Sequence, residues 1–422
     1  MNTPTNRQHA LSLDQQDPLA GFRQRFVIDD PDLIYLDGNS LGRLPKAAVE
    51  LARTLVEEQW GQGLIRSWGR GWLYNPEHLG EKLAQLLGAQ PGEVIVADPT
   101  SINLFKLVVG ALRHQTGRTK IVTDNLNFPS DIYILQGAAD LLAAGHRIEI
   151  IPSPDSIHGP VEALIDSLDQ DTALLTLSHT TFKSGYTYDI AELTAAAKER
   201  GVLTLWDLSH SAGAVPIDLN ATGADLAVGC TYKYLNGGPG APAYLYVRQD
   251  LLGQIANPIT GWMGRVKMFD FELDYQPDPT LRQLLTSSPP VLSMALIEPG
   301  IDLLIEAGMD RLREKSVAQT EYMLTLWRAR LEPLGFTLNS PLDPAYRGSH
   351  ISIGHQHGLG IDLALIEEMN VIPDFRAPDN IRLGFAPLYT TFTEIFDAVS
   401  RIEQIVVEKR YEKYQHQAPT VT

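Results

Sequence analysis

From Pro45 the apolar positions Ala48, Leu51, Ala52, Leu55, Val56 and Trp60 recur at helical spacing, and a proline suits a first helical turn because its φ is already set and it has no N–H to satisfy. A helix is predicted there. Residues 1 to about 18 show no such period and read as a mobile arm. Leu33-Ile34-Tyr35-Leu36 is a short apolar run closed by the turn signal Asp37-Gly38-Asn39. The middle of the chain alternates helix patterns, such as Leu104 to Leu112, with short β-rich runs: Glu93 to Ala97, Lys120 to Thr123, Arg147 to Ile151, Ala173 to Leu177 and Val202 to Trp206. Such alternation predicts βαβ units and an α/β fold with a mainly parallel sheet. The clearest junction is an amphipathic helix over Ile190 to Arg200, capped by Gly201 and followed by the buried strand that ends at Trp206. Asp207 is thereby expected at a strand's carboxyl end, where open α/β sheets bind ligands. After about residue 290 the pattern turns mostly helical and ends on an amphipathic helix marked by Ile395, Phe396, Val399, Ile402, Ile405 and Val406.

A chain of 422 residues is longer than one compact core usually spans, so a second domain is expected. With 44% hydrophobic and 20% charged residues, the composition is that of a globular protein. Net charge narrows the partners: at −17 an acidic surface repels phosphate backbones, which argues against nucleic acid and anionic membranes. No apolar run approaches the roughly 18 residues that cross a bilayer. The first 17 residues lack a basic-then-apolar export pattern. A single cysteine, Cys230, cannot form an internal disulfide, and a cytoplasmic setting is expected.

Thr231-Tyr232-Lys233-Tyr234-Leu235-Asn236-Gly237-Gly238-Pro239-Gly240 places a lysine in apolar and aromatic surroundings just after a β-rich run, Ala224 to Val228. Such surroundings disfavour a charged amine, and a neutral amine is what attacks an aldehyde. Alone, a lysine reaching the surface beside a Gly-rich turn explains the segment as well. Trp206-Asp207-Leu208-Ser209-His210-Ser211 changes the weighing. Pyridoxal phosphate needs a carboxylate against its ring nitrogen to act as an electron sink, and Asp207 is placed to supply it. His210 either lies near that ring or is a structural hydrogen-bonder. Asp98-Pro99-Thr100-Ser101-Ile102-Asn103-Leu104-Phe105, between a strand and a helix pattern, offers N–H groups and hydroxyls to a phosphate, or is a plain capping turn. Phe128-Pro129-Ser130-Asp131 puts Phe128 either over the ring or in the core.

These segments, together with Asp37-Gly38-Asn39-Ser40-Leu41-Gly42, Gly261-Trp262, Arg347-Gly348-Ser349 and Arg382 with Pro387-Leu388-Tyr389, occur in the order found in kynureninases. The chain resembles that family from about residue 33 to residue 395. The resemblance implies the fold type I of pyridoxal-phosphate-dependent transferases, with an N-terminal arm and part of the small domain over residues 1–50, a large cofactor-binding domain over 51–290 and a smaller α+β domain over 291–422. It implies a homodimer with the active site at the interface, and hydrolysis of L-kynurenine to anthranilate and L-alanine in tryptophan catabolism or NAD biosynthesis. The 3-hydroxy substrate, giving 3-hydroxyanthranilate, is equally compatible. Lys233 resembles the lysine that carries pyridoxal 5'-phosphate, and Asp207 the partner of its ring nitrogen, with Asp131 close by. Phe128 matches the ring-stacking residue. Thr100, Ser101, Tyr232, Trp262 and, from the partner subunit, Ser288 match phosphate contacts; Ser178 and His210 match further cofactor contacts. Arg382 resembles the holder of the substrate's α-carboxylate, with Asn39 and Ser40 near the substrate. Tyr232 is either a proton donor or only a phosphate anchor, and Trp68 either lines the aryl pocket or is core. At two places the chain departs from the family pattern: Ser288 stands where relatives carry Thr or Asn, and Ser178-His179-Thr180-Thr181 varies.

Other readings compete. Gly38-Asn39-Ser40-Leu41-Gly42 fits the G-x-S-x-G nucleophile elbow, with Asp207 and His210 as imagined triad partners, but an elbow starts its helix at the serine and here helix character begins near Pro45. Transaminases and cysteine desulfurases share the lysine and aspartate logic. Cys230 is too close to Lys233 in sequence for a mobile catalytic cysteine, so another aminotransferase-like activity is the main alternative. A non-catalytic binding protein on the same fold would not need Lys233, Asp207 and Arg382 together. His355-Gln356-His357 has no third ligand nearby, and no metal is expected.

Overall fold

The computed structural model of the chain describes residues 4–414 and residue 417; the first residues of the predicted arm and the end of the predicted C-terminal domain lie outside the described residues. The strands are β1 (Ile34–Tyr35), β2 (Val94–Val96), β3 (Lys120–Asp124), β4 (Arg147–Ile151), β5 (Thr172–Ser178), β6 (Leu203–Asp207), β7 (Leu226–Gly229), β8 (Tyr244–Val247), β9 (Thr337–Leu338), β10 (His350–Gly354), β11 (Val371–Ile372), β12 (Asp374–Arg376) and β13 (Asn380–Gly384). Seven of them form one sheet in the order β2-β8-β7-β6-β5-β3-β4. Every strand in it runs the same way except β8, which is antiparallel to both neighbours.

Apart from the edge strand β4, whose Arg147, Glu149 and Ile150 are exposed, this sheet is buried on both faces, which is why its inner strands read as apolar runs and not as alternation. Leu174, Leu205, Leu226 and Val228 face one core with the helix Thr100–His114. Leu175, Leu177, Trp206 and Ala227, one residue out of step, face the other. That second core draws in Met294, Ile297, Ile301, Leu304 and Leu312 from beyond residue 290. A smaller antiparallel sheet, β12-β13-β10-β9, packs Ile351, Ile353, Ile381 and Leu383 under Ile361, Ile395, Val399 and Ile402 of the helices Gly358–Met369 and Phe392–Val407.

The predicted arm is not a free tail. Arg7–Gln16 is a helix capped by the Asn6 side chain, and Ala10 is buried in the core that the smaller sheet shares with the last helix. Its Asp14 carboxylate accepts the backbone N–H groups of Phe392 (2.7 Å) and Thr393 (3.0 Å), which are unpaired donors at the start of the last helix. The helix predicted from Pro45 is also altered. It is regular over Lys46–Thr54 and continues in the wider π winding over Leu55–Gly63, which turns Val56 and Trp60 outward.

Candidate functional site

The predicted catalytic residues converge at the carboxyl edge of the large sheet. Ser178 and Asp207 are register partners at the ends of β5 and β6. Lys233 lies in the turn that follows β7, and its Nζ is 2.8 Å from His210 Nε2 and 6.0 Å from the ring centres of Phe128 and Tyr232. The turn is held by Gly237 N–H donating to the Thr231 carbonyl (2.8 Å) and by the Thr231 hydroxyl donating to the Pro242 carbonyl (2.7 Å). Residues 37–42 lie directly over it. Gly42 N–H donates to the Tyr232 carbonyl (2.8 Å), and a Cβ at Gly42 would collide with the Lys233 carbonyl and with Asn236, so only glycine permits this approach.

Asp131, in the first turn of the helix Pro129–Leu142, is buried beside Asp207. Burial, and then the charge of Asp207, push its carboxyl well above the usual range, with Lys233 opposing. In its acid form it is a hydrogen-bond donor for Asp207. The loop carrying Phe128 is tied from below. Asp124 accepts the N–H groups of Leu126 (2.9 Å) and Asn127 (2.8 Å) and a hydrogen bond from the Tyr188 hydroxyl. Asn127 Oδ1 accepts from Phe128 N–H (2.9 Å) and the Ser178 hydroxyl (2.7 Å). Ser178 therefore reaches a ligand only as an acceptor. Phe128 itself keeps 42% of its surface exposed, which leaves a ring face open above Lys233.

Thr100 and Ser101 open the helix Thr100–His114, and Ser101 Oγ lies 3.1 Å from Ser130 Oγ. Tyr232 is half-buried, and the neighbouring Cys230 and then burial keep its phenol protonated far above neutrality. Two predicted phosphate contacts stand apart. Trp262 and Ser288 are exposed, and Gly261 packs so tightly on Thr286 that a Cβ there would overlap its carbonyl. Among the described residues neither makes a hydrogen bond or ring contact with Lys233, Asp207 or Thr100. Trp68 is half-buried, edge-to-face with Trp72 at 5.9 Å, and packs on the core around Leu104 and Leu107.

Arg382 on β13 is fully buried and its fork is engaged. Nη2 donates to Ser40 Oγ (2.7 Å) and to Asp374, and Nη1 donates to the Phe182 carbonyl (2.5 Å). With the Asn39 amide oxygen facing it, the orientation that satisfies both of its ends, Asn39 accepts from Nε at 2.7 Å. Ser40 is thus bonded to Arg382 and Asp374, the latter at 2.9 Å, and to no histidine, which removes the serine-hydrolase reading. Asp374, Asp37 and Asp362 surround the guanidinium groups of Arg382 and Arg376. Burial and then Asp374 push Asp37 up to about 7 and Asp362 up to about 8.

Sequence reasoning missed Asp374, Asp124, Asn127 and His350. The first three support a predicted residue from behind, and no local motif marks such a role. His350 directly follows Arg347-Gly348-Ser349, and adjacency to that motif was its one signal. Arg347 is a strut: its guanidinium binds the carbonyls of Pro341 and Leu342 and pairs with Glu321. His355 and His357 pack on Phe336 and Tyr411, and among the described residues no group of three or more His, Cys, Asp or Glu is arranged to hold a metal ion.

These residues suit pyridoxal phosphate. An amine, a carboxyl pair, an open aromatic face and a helix N-terminus with two hydroxyls surround one space, matching an aldehyde, a ring nitrogen, a π face and a phosphate.

The fold is shared with solved structures. The chain superimposes on cysteine desulfurase CsdA from Escherichia coli with a TM-score of 0.78 at 18% identity, covering 93% of this chain and 98% of that one. A C-DES mutant with glycine covalently linked to its PLP cofactor gives 0.77 at 20% identity, covering 88% and 97%. The architecture is therefore fold type I of the pyridoxal-phosphate-dependent enzymes. At the sequence level the chain is 45% identical over 418 residues to the kynureninase of Pseudomonas fluorescens, spanning 98% of both chains. It is 42% identical over 405 residues to that of Burkholderia pseudomallei strain 1106a, spanning 95% of both. The model of the kynureninase C-terminal domain matches residues 312–402. The chain belongs to the kynureninase family.

Proposed function

We propose that the chain hydrolyses the Cβ–Cγ bond of L-kynurenine, giving anthranilate and L-alanine, with pyridoxal 5'-phosphate carried on Lys233. The observation that carries the reading is the convergence, in one space, of Lys233 with the Asp207–Asp131 pair and of Arg382 with Asn39 and Ser40. The first group handles an amine on a pyridine ring and the second a carboxylate, so together they recognise an α-amino acid.

When bound, pyridoxal phosphate supplies an electron sink for the bonds broken at the substrate. Asp207, supported by Asp131, would hold the ring nitrogen. Phe128 would offer its open face to the ring, and Thr100 and Ser101 would hold the phosphate. Lys233 Nζ takes the proton from the substrate's α-carbon as general base. Tyr232, whose phenol stays protonated, would donate a hydrogen bond to the phosphate and would serve as a proton source beside Lys233. Arg382 orients the α-carboxylate once Asn39 or Ser40 yields a place on its fork.

The chain acts as a homodimer in this reading. Trp60, Leu64, Ile65, Phe269, Phe271 and Leu273 are large apolar side chains left in water, more than isolated exposure accounts for. A second copy over them would bring its Ser288 to this phosphate site. A cytoplasmic setting is supported by the lone, buried cysteine, and no described helix is long and apolar enough to cross a membrane.

The test is to incubate cofactor-loaded protein with L-kynurenine and quantify both products. Equimolar anthranilate and alanine are expected. A keto acid in place of alanine would mean transamination and overturn the proposal.

A further inference from the structure

We propose that His350 is a positioning residue for Lys233, acting through His210: a hydrogen-bond chain from the Lys183 carbonyl through both imidazoles fixes the tautomer that presents an acceptor nitrogen to Lys233. The proposal rests on the reading that Lys233 is the cofactor-bearing amine, and it concerns how that amine is held.

His350 opens β10, fully buried. Its ring lies 5.8 Å from that of His210, inclined by 62°. Neither of its ring nitrogens makes a hydrogen bond of ordinary length, and His210 Nδ1 also lacks one, although the Lys183 carbonyl is near enough to favour the protonated form of His350. Buried polar atoms without partners are costly and uncommon. Three on two facing rings beside the catalytic lysine form a pattern.

The charge around the rings decides their state. The charged groups facing both are Lys233, Arg382 and Arg376, all cations, and together with burial they hold each imidazole well below its usual range. Both rings are therefore neutral, each with one N–H donor and one bare acceptor nitrogen.

The neighbours then give the chain its direction. Lys233 Nζ bears hydrogens to donate in either charge state, so the His210 Nε2 that it meets at 2.8 Å serves as its acceptor, and the proton of His210 sits on Nδ1. At the other end a carbonyl can only accept, so the proton of His350 faces Lys183 and its bare nitrogen is left for the Nδ1–H of His210. A 5.8 Å separation of ring centres is spanned by one water or a modest ring rotation. Each group has one role and none conflicts. Without His350 the His210 Nδ1–H has no acceptor, and the contact with Lys233 is left to hold that tautomer alone. The opposite tautomer would aim an N–H at Lys233 and drive the amine off its position.

The test uses protein labelled with nitrogen-15 at histidine. In the cofactor-free wild type, long-range proton–nitrogen spectra should show His210, assigned with a His210→Gln variant, neutral and protonated at Nδ1. His350→Phe should convert His210 to a mixture or to the Nε2–H form. In the loaded enzyme kcat should fall roughly 10- to 100-fold with KM little changed, the range seen when partners that orient metal-ligating imidazoles are lost. His350→Gln, which keeps an acceptor oxygen, should recover most of the loss. Wild-type His210 protonated at Nε2 overturns the proposal without any variant. So does a His350→Phe protein that melts earlier while its His210 tautomer and kcat stay as in the wild type. Wild-type failure to cleave kynurenine would refute the proposed reaction and leave the tautomer result standing.

Discussion

Replacing Asp374 by asparagine isolates the charge that balances the arginine pocket. Asp374 pairs with Arg382 and, at 2.5 Å, with Arg376. The Asp374 and Arg382 side chains are 2% and 1% exposed, so this is a buried pair, and removing one partner of such a pair typically costs about 3–5 kcal/mol. A second carboxyl softens the loss. Asp37 lies 4.0 Å from Arg382 and is held at about 7 by burial and then by the charge of Asp374 itself. Once that charge is gone, Asp37 ionises more readily and takes over part of the pairing. The net cost should therefore fall to about 2–3 kcal/mol near pH 7.5. In a chain of this length 1 kcal/mol corresponds to about 1 °C in Tm, so calorimetry of Asp374→Asn should show a drop of about 2–3 °C relative to the wild type. The gap should widen as the pH is lowered and Asp37 becomes protonated. An unchanged Tm, or a gap that narrows on acidification, would refute the reasoning.

Asp362 has both carboxyl oxygens without a partner and is pushed up to about 8 by burial and then by Asp374. The folded state thus keeps a proton that the unfolded chain has lost, and stability falls as pH rises from about 4 to about 8. Asp362→Asn removes that titration, so its Tm should decline less than the wild type's between those limits; parallel curves would contradict this. Tyr188→Phe strips the donor from buried Asp124 and loosens the Phe128 turn, which should weaken cofactor binding about 5- to 30-fold in a fluorescence titration, from roughly 1–2 kcal/mol for the lost bond. Unaltered affinity would count against that support. Lys233→Ala should lose both the visible absorption of the loaded enzyme and turnover, and retained turnover would remove Lys233 from its role. Ile65→Asp should shift the mass measured by light scattering from dimer toward monomer, and an unshifted dimer would place the interface elsewhere.

Much of this was legible in the sequence where one segment carries its own signal. The strand ending at Asp207 and the helix Thr100–His114 follow from apolar runs and period. What escaped depends on distant partners. Arg7–Gln16 is too polar to announce a helix, and its order comes from docking Ala10 and Asp14 on the last helix. Tyr244–Val247 is four apolar residues after a Pro- and Gly-rich turn, and so short a run has no readable period. Lys233 and Asp207 stood out as chemistry at or just after strand ends, and Arg382 through the family resemblance. Asp374 and His350 lie on a different sheet, and only the folded chain brings them behind those residues. Trp262 and Ser288 are a different case, since the folded chain leaves both exposed.

The most direct test of hydrolytic carbon–carbon cleavage is turnover of L-kynurenine in water enriched in oxygen-18, with both products analysed by mass spectrometry. Water attacks the γ-carbonyl, so anthranilate should carry one heavy oxygen in its carboxylate and alanine none. Anthranilate formed without the label, or label appearing in the alanine carboxylate, would contradict the account.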